Sequence, residues 1–156
     1  MLKPDIEQVA AELFKFRGGI ADTCTLIYLE KIHLLSTVSG CFQLSILPDI
    51  VQEFGRHPAG CRLCKAISAA GPDQAVVRLA YELQLPVLSE DRQVLMAARR
   101  RGLRYYNTLM ILLALLLQEK ISLAGYEKAY ASLQKFARYS SAVRQVGEQV
   151  FSLYIR

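Results

Sequence analysis

The chain has 156 residues, of which 53% are hydrophobic and 21% are charged, and its formal net charge is +5. This composition excludes an intrinsically disordered chain, and the length is sufficient for one compact domain with its own core. The longest apolar run, residues 108–117, is shorter than the ~20 residues that a transmembrane helix needs, and it predicts a buried helix. The N-terminal segment carries acids and lacks an apolar signal core, so we expect a soluble, cytoplasmic protein without a membrane partner.

Taken in chain order, apolar spacing first predicts an amphipathic helix in KPDIEQVAAELFKF, which the glycine pair at 18 and 19 ends. Short apolar runs then alternate with amphipathic segments up to residue 120. The predicted strands are GIADT, CFQLSIL, LPVLS and LRYYN. The predicted helices among them are TLIYLEKIHLL, PDIVQEFGR, CRLCKAISAAG, PDQAVVRLAYELQ, EDRQVLMAARRRG and TLMILLALLLQEK. Two further amphipathic helices, SLAGYEKAYASLQKFARYS and AVRQVGEQVFSLYI, complete the chain.

This alternation predicts the fold class. Strand–helix–strand units form parallel sheets that are covered by helices on both faces, with right-handed crossovers. We therefore expect a single α/β domain over residues 1–156, with an N-terminal helix in residues 1–17, an α/β core in residues 19–122 and C-terminal helices in residues 123–156. Ligand sites in such folds lie beyond the carboxyl ends of the strands.

Acidic residues recur at that edge of the predicted sheet. Asp22 ends the first strand, Glu53 lies on the helix after the second, Asp73 begins a helix, and Glu90 and Asp91 follow the third strand. Each of them alone is explained as a helix cap or a surface residue. As a set they would repel one another, and carboxylate oxygens are the ligands that Mg²⁺ and Mn²⁺ prefer. The sequence therefore predicts a divalent-metal site.

The four cysteines allow a second kind of metal site. Cys61 and Cys64 form one CxxC with His57 upstream, and Cys41 could supply a fourth ligand for zinc. A single CxxC is weak evidence for zinc, and a pair of buried small residues on a helix is the favoured interpretation.

Basic residues cluster in RQVLMAARRRGLR, which contains Arg92, Arg99, Arg100 and Arg101. Such a run is usually a solvated helix face. The alternative is a set of contacts with the phosphates of RNA, which the positive net charge favours.

The acids lie in motifs that resemble those of the PIN-domain family of metal-dependent ribonucleases, including the toxins of toxin–antitoxin pairs. The matching segments, in order over residues 19–122, are IADTCTLIYL, LSILPDIVQEF, GPDQAVVRLAYEL, LPVLSEDRQVLMAARRRGL and YYNTLMILLALLLQEKIS. Cys24 stands where the family often has Asn or Ser. The resemblance implies an α/β/α sandwich with a parallel sheet of four or five strands.

The resemblance also implies the site residues. The metal-binding and catalytic acids would be Asp22, Glu53, Asp73 and Asp91, with Glu90 as the alternative to Asp91. The hydroxyl of Thr23, and that of Thr108, would orient the site. The implied activity is Mg²⁺- or Mn²⁺-dependent cleavage of single-stranded RNA, with a cognate antitoxin protein as a possible partner. Cys24 keeps open the alternative of a PIN-like RNA-binding or protein-interaction module without turnover.

The C-terminal segment carries an apolar stripe at helical spacing, formed by Leu123, Tyr126, Tyr130, Leu133 and Phe136. Large apolar surfaces on helices often mark contact surfaces. Part of the stripe must cover the sheet, and the alternative is a monomer onto which both helices fold back. Because PIN-like proteins often pair, the resemblance favours a homodimer, which is what we expect.

Overall fold

The computed structural model describes residues 4–66 and 72–155, and for residues 72–74 it describes the backbone alone. Within the chain, contacts define two compact units, Arg17–Thr108 and a unit that joins Met1–Phe16 to Leu109–Arg156. The single domain expected over residues 1–156 stays a prediction.

The first unit contains a parallel sheet. Its strands are β1 (Gly18–Ala21), β2 (Gln43–Ile46), β3 (Arg62–Leu63), β4 (Val87–Leu88) and β5 (Tyr105–Tyr106), in the order β3-β2-β1-β4-β5. Its helices are α2 (Thr23–Lys31), α3 (Leu35–Cys41), α4 (Pro48–Phe54), α5 (Pro72–Leu83) and α6 (Arg92–Arg100). Right-handed crossovers place α2–α4 on one face of the sheet, and α5 and α6 on the other. The expected three-layer α/β/α fold is confirmed, and the parallel sheet, for which four or five strands were expected, has five strands within the described residues.

The strand order determines where a site can form. From β1 the chain proceeds outward to β2 and β3, and it then returns to β4 on the other side of β1. Ala21 pairs with Leu88 in this central ladder, and the Asp22 N–H donates to the Leu88 carbonyl oxygen at 2.8 Å. The carboxyl ends of β1 and β4 are therefore neighbours at the topological switch point, where open α/β sheets bind their ligands.

The glycine pair begins β1 and does not simply end the helix before it. A Cβ on Gly19 would lie 2.4 Å from the backbone oxygen of Pro86, the residue before β4. The absent side chain is thus what allows β1 and β4 to approach each other closely.

One predicted element was wrong, and another was predicted too long. The segment CRLCKAISAAG was expected to be a helix, but Arg62–Leu63 forms the edge strand β3, and residues 67–71 lie outside the described part. The Cys64 N–H donates to the Ile46 carbonyl oxygen, so pairing with β2 decides the local structure. The helix TLIYLEKIHLL ends at Lys31, because His33 has a φ of 60°, and α3 follows without having been predicted.

The second unit contains α1 (Ile6–Phe14), α8 (Leu123–Gln134) and α9 (Ser141–Tyr154), together with most of α7 (Thr108–Leu117). The helix α7 is buried along nearly its whole length, as predicted from its apolar run. Gly147 on α9 lies against the side chains of Leu109 and Leu113. Within the described ranges, no helix is long and apolar enough to cross a membrane.

Part of the predicted apolar stripe is buried within this unit. Tyr126 and Leu133 are buried, and Leu123 is exposed. The homodimer remains a prediction.

Candidate active site at the carboxyl edge of the sheet

Asp22 is the centre of the polar cluster at the switch point. It ends β1 and caps α2, because its Oδ1 accepts a hydrogen bond from the Thr23 N–H at 2.9 Å. Its Oδ2 accepts from the Ser89 hydroxyl at 2.9 Å and from the Cys24 thiol at 3.5 Å. The residue is 4% exposed, and no basic side chain in the described part pairs with it. Buried charges are usually paired with an opposite charge or bound to a metal, so this carboxylate is a candidate ligand.

Thr23 connects Asp22 to Glu53. The Thr23 hydroxyl donates to Glu53 Oε2 at 2.8 Å, while its N–H is bound to Asp22. Glu53 lies on α4, which follows β2 and packs against α2. Two of the predicted acids thus contact one residue. The site-orienting role that the resemblance implies for the Thr23 hydroxyl stays a prediction.

Cys24 adds a neutral thiol to the cluster. Burial, and next the nearby charge of Asp22, raise the pKa of Cys24 to about 11. The thiol therefore keeps its proton at neutral pH and can donate it to Asp22 Oδ2. Its sulfur also accepts from the Glu90 N–H at 3.2 Å, which connects α2 to the end of β4.

Ser89 was not predicted as a site residue. It is fully buried, its hydroxyl donates to Asp22 Oδ2, and its oxygen accepts from the Asp91 N–H at 3.0 Å. This hydroxyl fixes the loop after β4 to the acid that follows β1. A polar residue between a buried strand and two acids is the sequence signal that would have identified it.

Glu90, in the loop after β4, is hydrogen-bonded to residues of α2 and α7. Its Oε2 accepts from the Thr25 hydroxyl at 2.5 Å, and its two oxygens accept from the Thr108 N–H at 3.0 and 3.1 Å. Thr25 and Thr108 are both fully buried. Thr108 thus contacts an acid through its backbone, whereas its buried hydroxyl has no hydrogen-bond partner among the described residues.

Asp91 has a different environment. It is exposed, and its Oδ1 caps α6 by accepting from the Gln93 N–H at 2.8 Å. The cap uses one carboxylate oxygen, whereas Glu90 has both of its oxygens bound to protein donors.

Asp73 is the remaining predicted acid, and its side chain lies outside the described part. It is the second residue of α5. A helix that leads from one parallel strand to the next begins at the carboxyl edge of the sheet, so its backbone lies at the same edge as Asp22.

Neither predicted metal site forms a complete ligand group in the described part, where no three His, Cys, Asp or Glu side chains come together. For zinc, the His57 Nε2 contacts the Cys61 carbonyl oxygen at 2.8 Å and Cys41 is exposed. For the acids, Asp22 and Glu53 are both hydrogen-bonded to Thr23, and the side chain of Asp73 lies outside the described part. The donors at this edge are carboxylates, hydroxyls and the Cys24 thiol, which keeps its proton. The carboxylates and hydroxyls fit a hard divalent cation better than zinc.

The predicted RNA-binding arginines divide between the two edges of the sheet. Arg92 begins α6 beside Asp91, at the carboxyl edge. Arg99, Arg100 and Arg101 are at the other end of this helix, about 12 Å away at 1.5 Å per residue. The Arg101 guanidinium lies 5.3 Å from the centre of the Tyr81 ring.

Comparisons with known proteins give little beyond this geometry. No protein-family profile matches the chain, and no curated protein sequence matches it significantly. Among solved structures, a PilT N-terminus domain protein from the hyperthermophilic archaeon Sulfolobus solfataricus P2 is similar, at 13% identity and a TM-score of 0.43. The match covers 79% of this chain and 98% of that chain. A likeness of this size carries no weight for the function of the chain.

Proposed function

We propose that the protein is a Mg²⁺- or Mn²⁺-dependent endoribonuclease that cleaves single-stranded RNA. The observation that carries this proposal is the buried Asp22 carboxylate at the switch point, which has no basic partner among the described residues and is joined to Glu53 through Thr23. A bound cation would supply a water molecule of lowered pKa and would neutralise charge on the scissile phosphate.

The residues of the chain have separate roles in this proposal. Asp22, Glu53 and Asp73 hold the metal, with one acid from the loop after β4. Thr23, Cys24 and Ser89 fix the orientation of Asp22 and Glu53 through their hydrogen bonds. Arg92 is the arginine of the basic stretch that shares an edge with the acids, so it contacts an RNA phosphate beside the site.

The test is cleavage of a labelled, unstructured RNA by the purified chain. We expect cleavage with Mn²⁺ or Mg²⁺ and none with excess EDTA, and activity should return when the metal is restored. Equal cleavage in EDTA would contradict a metal-dependent reaction.

A second candidate is an RNA-binding or protein-interaction module without turnover. It is favoured by the hydrogen bonds that already occupy both oxygens of Asp22. Binding of the same RNA without cleavage at any metal concentration would support this candidate. The cognate antitoxin protein and the toxin role stay predictions.

We assign the fourth acid to Asp91, since one of its oxygens is not needed for the cap, whereas Glu90 acts as a structural clamp. Asp91→Asn should abolish cleavage without loss of stability, because Asn caps helices about as well as Asp. Glu90→Gln should instead destabilise the fold by about 1–3 kcal/mol, because an amide replaces an oxygen acceptor in a partly buried cluster. Cleavage rates and urea unfolding of both variants provide the measurement. An active Asp91→Asn variant together with a stable, inactive Glu90→Gln variant would transfer the assignment to Glu90.

A further inference from the structure

A cavity of about 240 Å³ lies where α8 ends and α9 begins. Its described lining residues all come from the end of α8, the loop that follows it and the start of α9. Its walls include Tyr130, Leu133, Gln134, Arg138, Tyr139 and Arg144. The volume is below the roughly 300 Å³ at which pockets for drug-sized ligands begin, so it suits part of a small planar ligand.

Two guanidinium groups line this cavity without a counter-charge. Arg138 and Arg144 are exposed, and within the described residues neither of them forms an ion pair. Among the described residues, no carboxylate lines the cavity. Arg144 is in the first turn of α9, whose N-terminal end adds positive potential. Guanidinium groups bind phosphate oxygens in paired hydrogen bonds, so the cavity is suited to an anion of this kind.

An aromatic column ends at the same cavity. The ring of Tyr126 is stacked on Phe151, with centroids 5.2 Å apart and planes 12° apart. The ring of Tyr126 is also stacked on Tyr130, with centroids 5.8 Å apart and planes 14° apart. Tyr126 is buried, whereas Tyr130 is half-buried and lines the cavity. Tyr130 is thus the last ring of a nearly parallel stack, and a flat ring could extend it.

We propose that this cavity binds one nucleotide of single-stranded RNA, with the base stacked on Tyr130 and the phosphate held by Arg138 and Arg144. Arginines beside aromatic rings are how proteins hold single strands without reading their sequence. The net charge of +5 is consistent with such a ligand. This inference rests on the proposed function, because the bound nucleotide would belong to the RNA that the protein is proposed to cleave.

The test is calorimetric titration of the full chain with AMP, adenosine and inorganic phosphate, all in EDTA. Without divalent metal, cleavage plays no part, so nucleotide binding and the proposed ribonuclease activity can fail independently. We expect AMP to bind more tightly than adenosine or phosphate, because it alone provides both groups. If AMP binds no better than phosphate, the base has no site and the proposal is wrong.

Variants locate the binding. Arg138→Ala with Arg144→Ala should weaken AMP binding about tenfold or more, and Tyr130→Leu should weaken it about tenfold while leaving phosphate binding unchanged. Lys128→Ala is the matched control, since it removes one exposed charge from α8 and Lys128 does not line the cavity. Circular dichroism checks that each variant is folded. Unchanged AMP binding in the arginine variant, or a loss equal to that in Lys128→Ala, would overturn the proposal.

An acidic partner protein would also be attracted by two arginines. A hexaglutamate peptide is the probe for this alternative. If it binds more tightly than AMP and loses affinity in the arginine variant, the cavity is a protein-docking site and the nucleotide proposal is wrong. Weaker binding of the peptide than of AMP supports the nucleotide.

Discussion

Asp22→Asn is expected to reduce RNA cleavage by about a hundredfold or more, because it removes the charge of the central ligand. The change keeps the shape of the side chain, and Asn can still cap α2. The fold should be retained, but the free energy of unfolding without metal should fall by about 1–3 kcal/mol, because an amide replaces Oδ2, which accepts from the Ser89 hydroxyl in a buried cluster. For the wild-type chain, metal at a hundred times its Kd should add about 2.7 kcal/mol to the free energy of unfolding, and the variant should lose this gain. Cleavage rates and thermal unfolding with and without Mn²⁺ are the two measurements.

Asp5→Asn is the matched control for this experiment. Asp5 is also a helix cap, since its side chain accepts a hydrogen bond from the Gln8 N–H, and it is exposed on α1. It should retain both cleavage and stabilisation by metal. If Asp22→Asn cleaves RNA as fast as Asp5→Asn, Asp22 is not a metal ligand and the proposed site is wrong.

Gly19→Ala is expected to lower the stability of the fold strongly. The added Cβ would lie 2.4 Å from the Pro86 oxygen and 3.0 Å from its carbonyl carbon, and both are backbone atoms. The strands β1 and β4 would have to separate at the centre of the sheet. We expect a loss of about 3 kcal/mol or more in the free energy of unfolding, which corresponds to a fall in Tm of roughly 10 °C.

Gly40→Ala is the control for Gly19→Ala. Gly40 is in α3, and a Cβ there would meet nothing within 4 Å. Alanine should raise the free energy of unfolding by about 0.4–1 kcal/mol, because it restricts the unfolded chain. Urea unfolding of the two variants measures the difference. If both variants unfolded at the same urea concentration, close packing of β1 against β4 would not be what requires Gly19.

The C-terminal helices show where sequence patterns are ambiguous. Leu123, Tyr126, Tyr130, Leu133 and Phe136 share a helical spacing, which predicts one apolar stripe. The spacing does not determine what covers the stripe. In the structure Tyr126 is buried in a ring stack, whereas Tyr130 lines a cavity beside two arginines. This difference arises because Phe151 of α9 stacks on Tyr126, and no periodicity in α8 encodes that contact.

The sequence by itself determined the α/β class and the residue types that the site would use. Apolar runs separated by amphipathic segments require buried strands joined by helices, and an acid directly after such a strand must lie at the sheet edge. Asp22 was predicted in this way, and Glu53 was predicted from its place on the helix after the second strand; their role in a site stays a prediction. The tertiary structure decided the contacts between residues that are distant in sequence, which no local sequence pattern predicts. Ser89 and Cys24 donate hydrogen bonds to Asp22. Glu90 is bound to Thr25 and Thr108, whereas the neighbouring Asp91 caps α6. The segment Arg62–Leu63 forms the strand β3. The physical reason is that these features depend on hydrogen bonds between residues far apart in sequence, such as those between Ser89 and Asp22 or between Cys64 and Ile46, whose geometry exists only once the strands are adjacent.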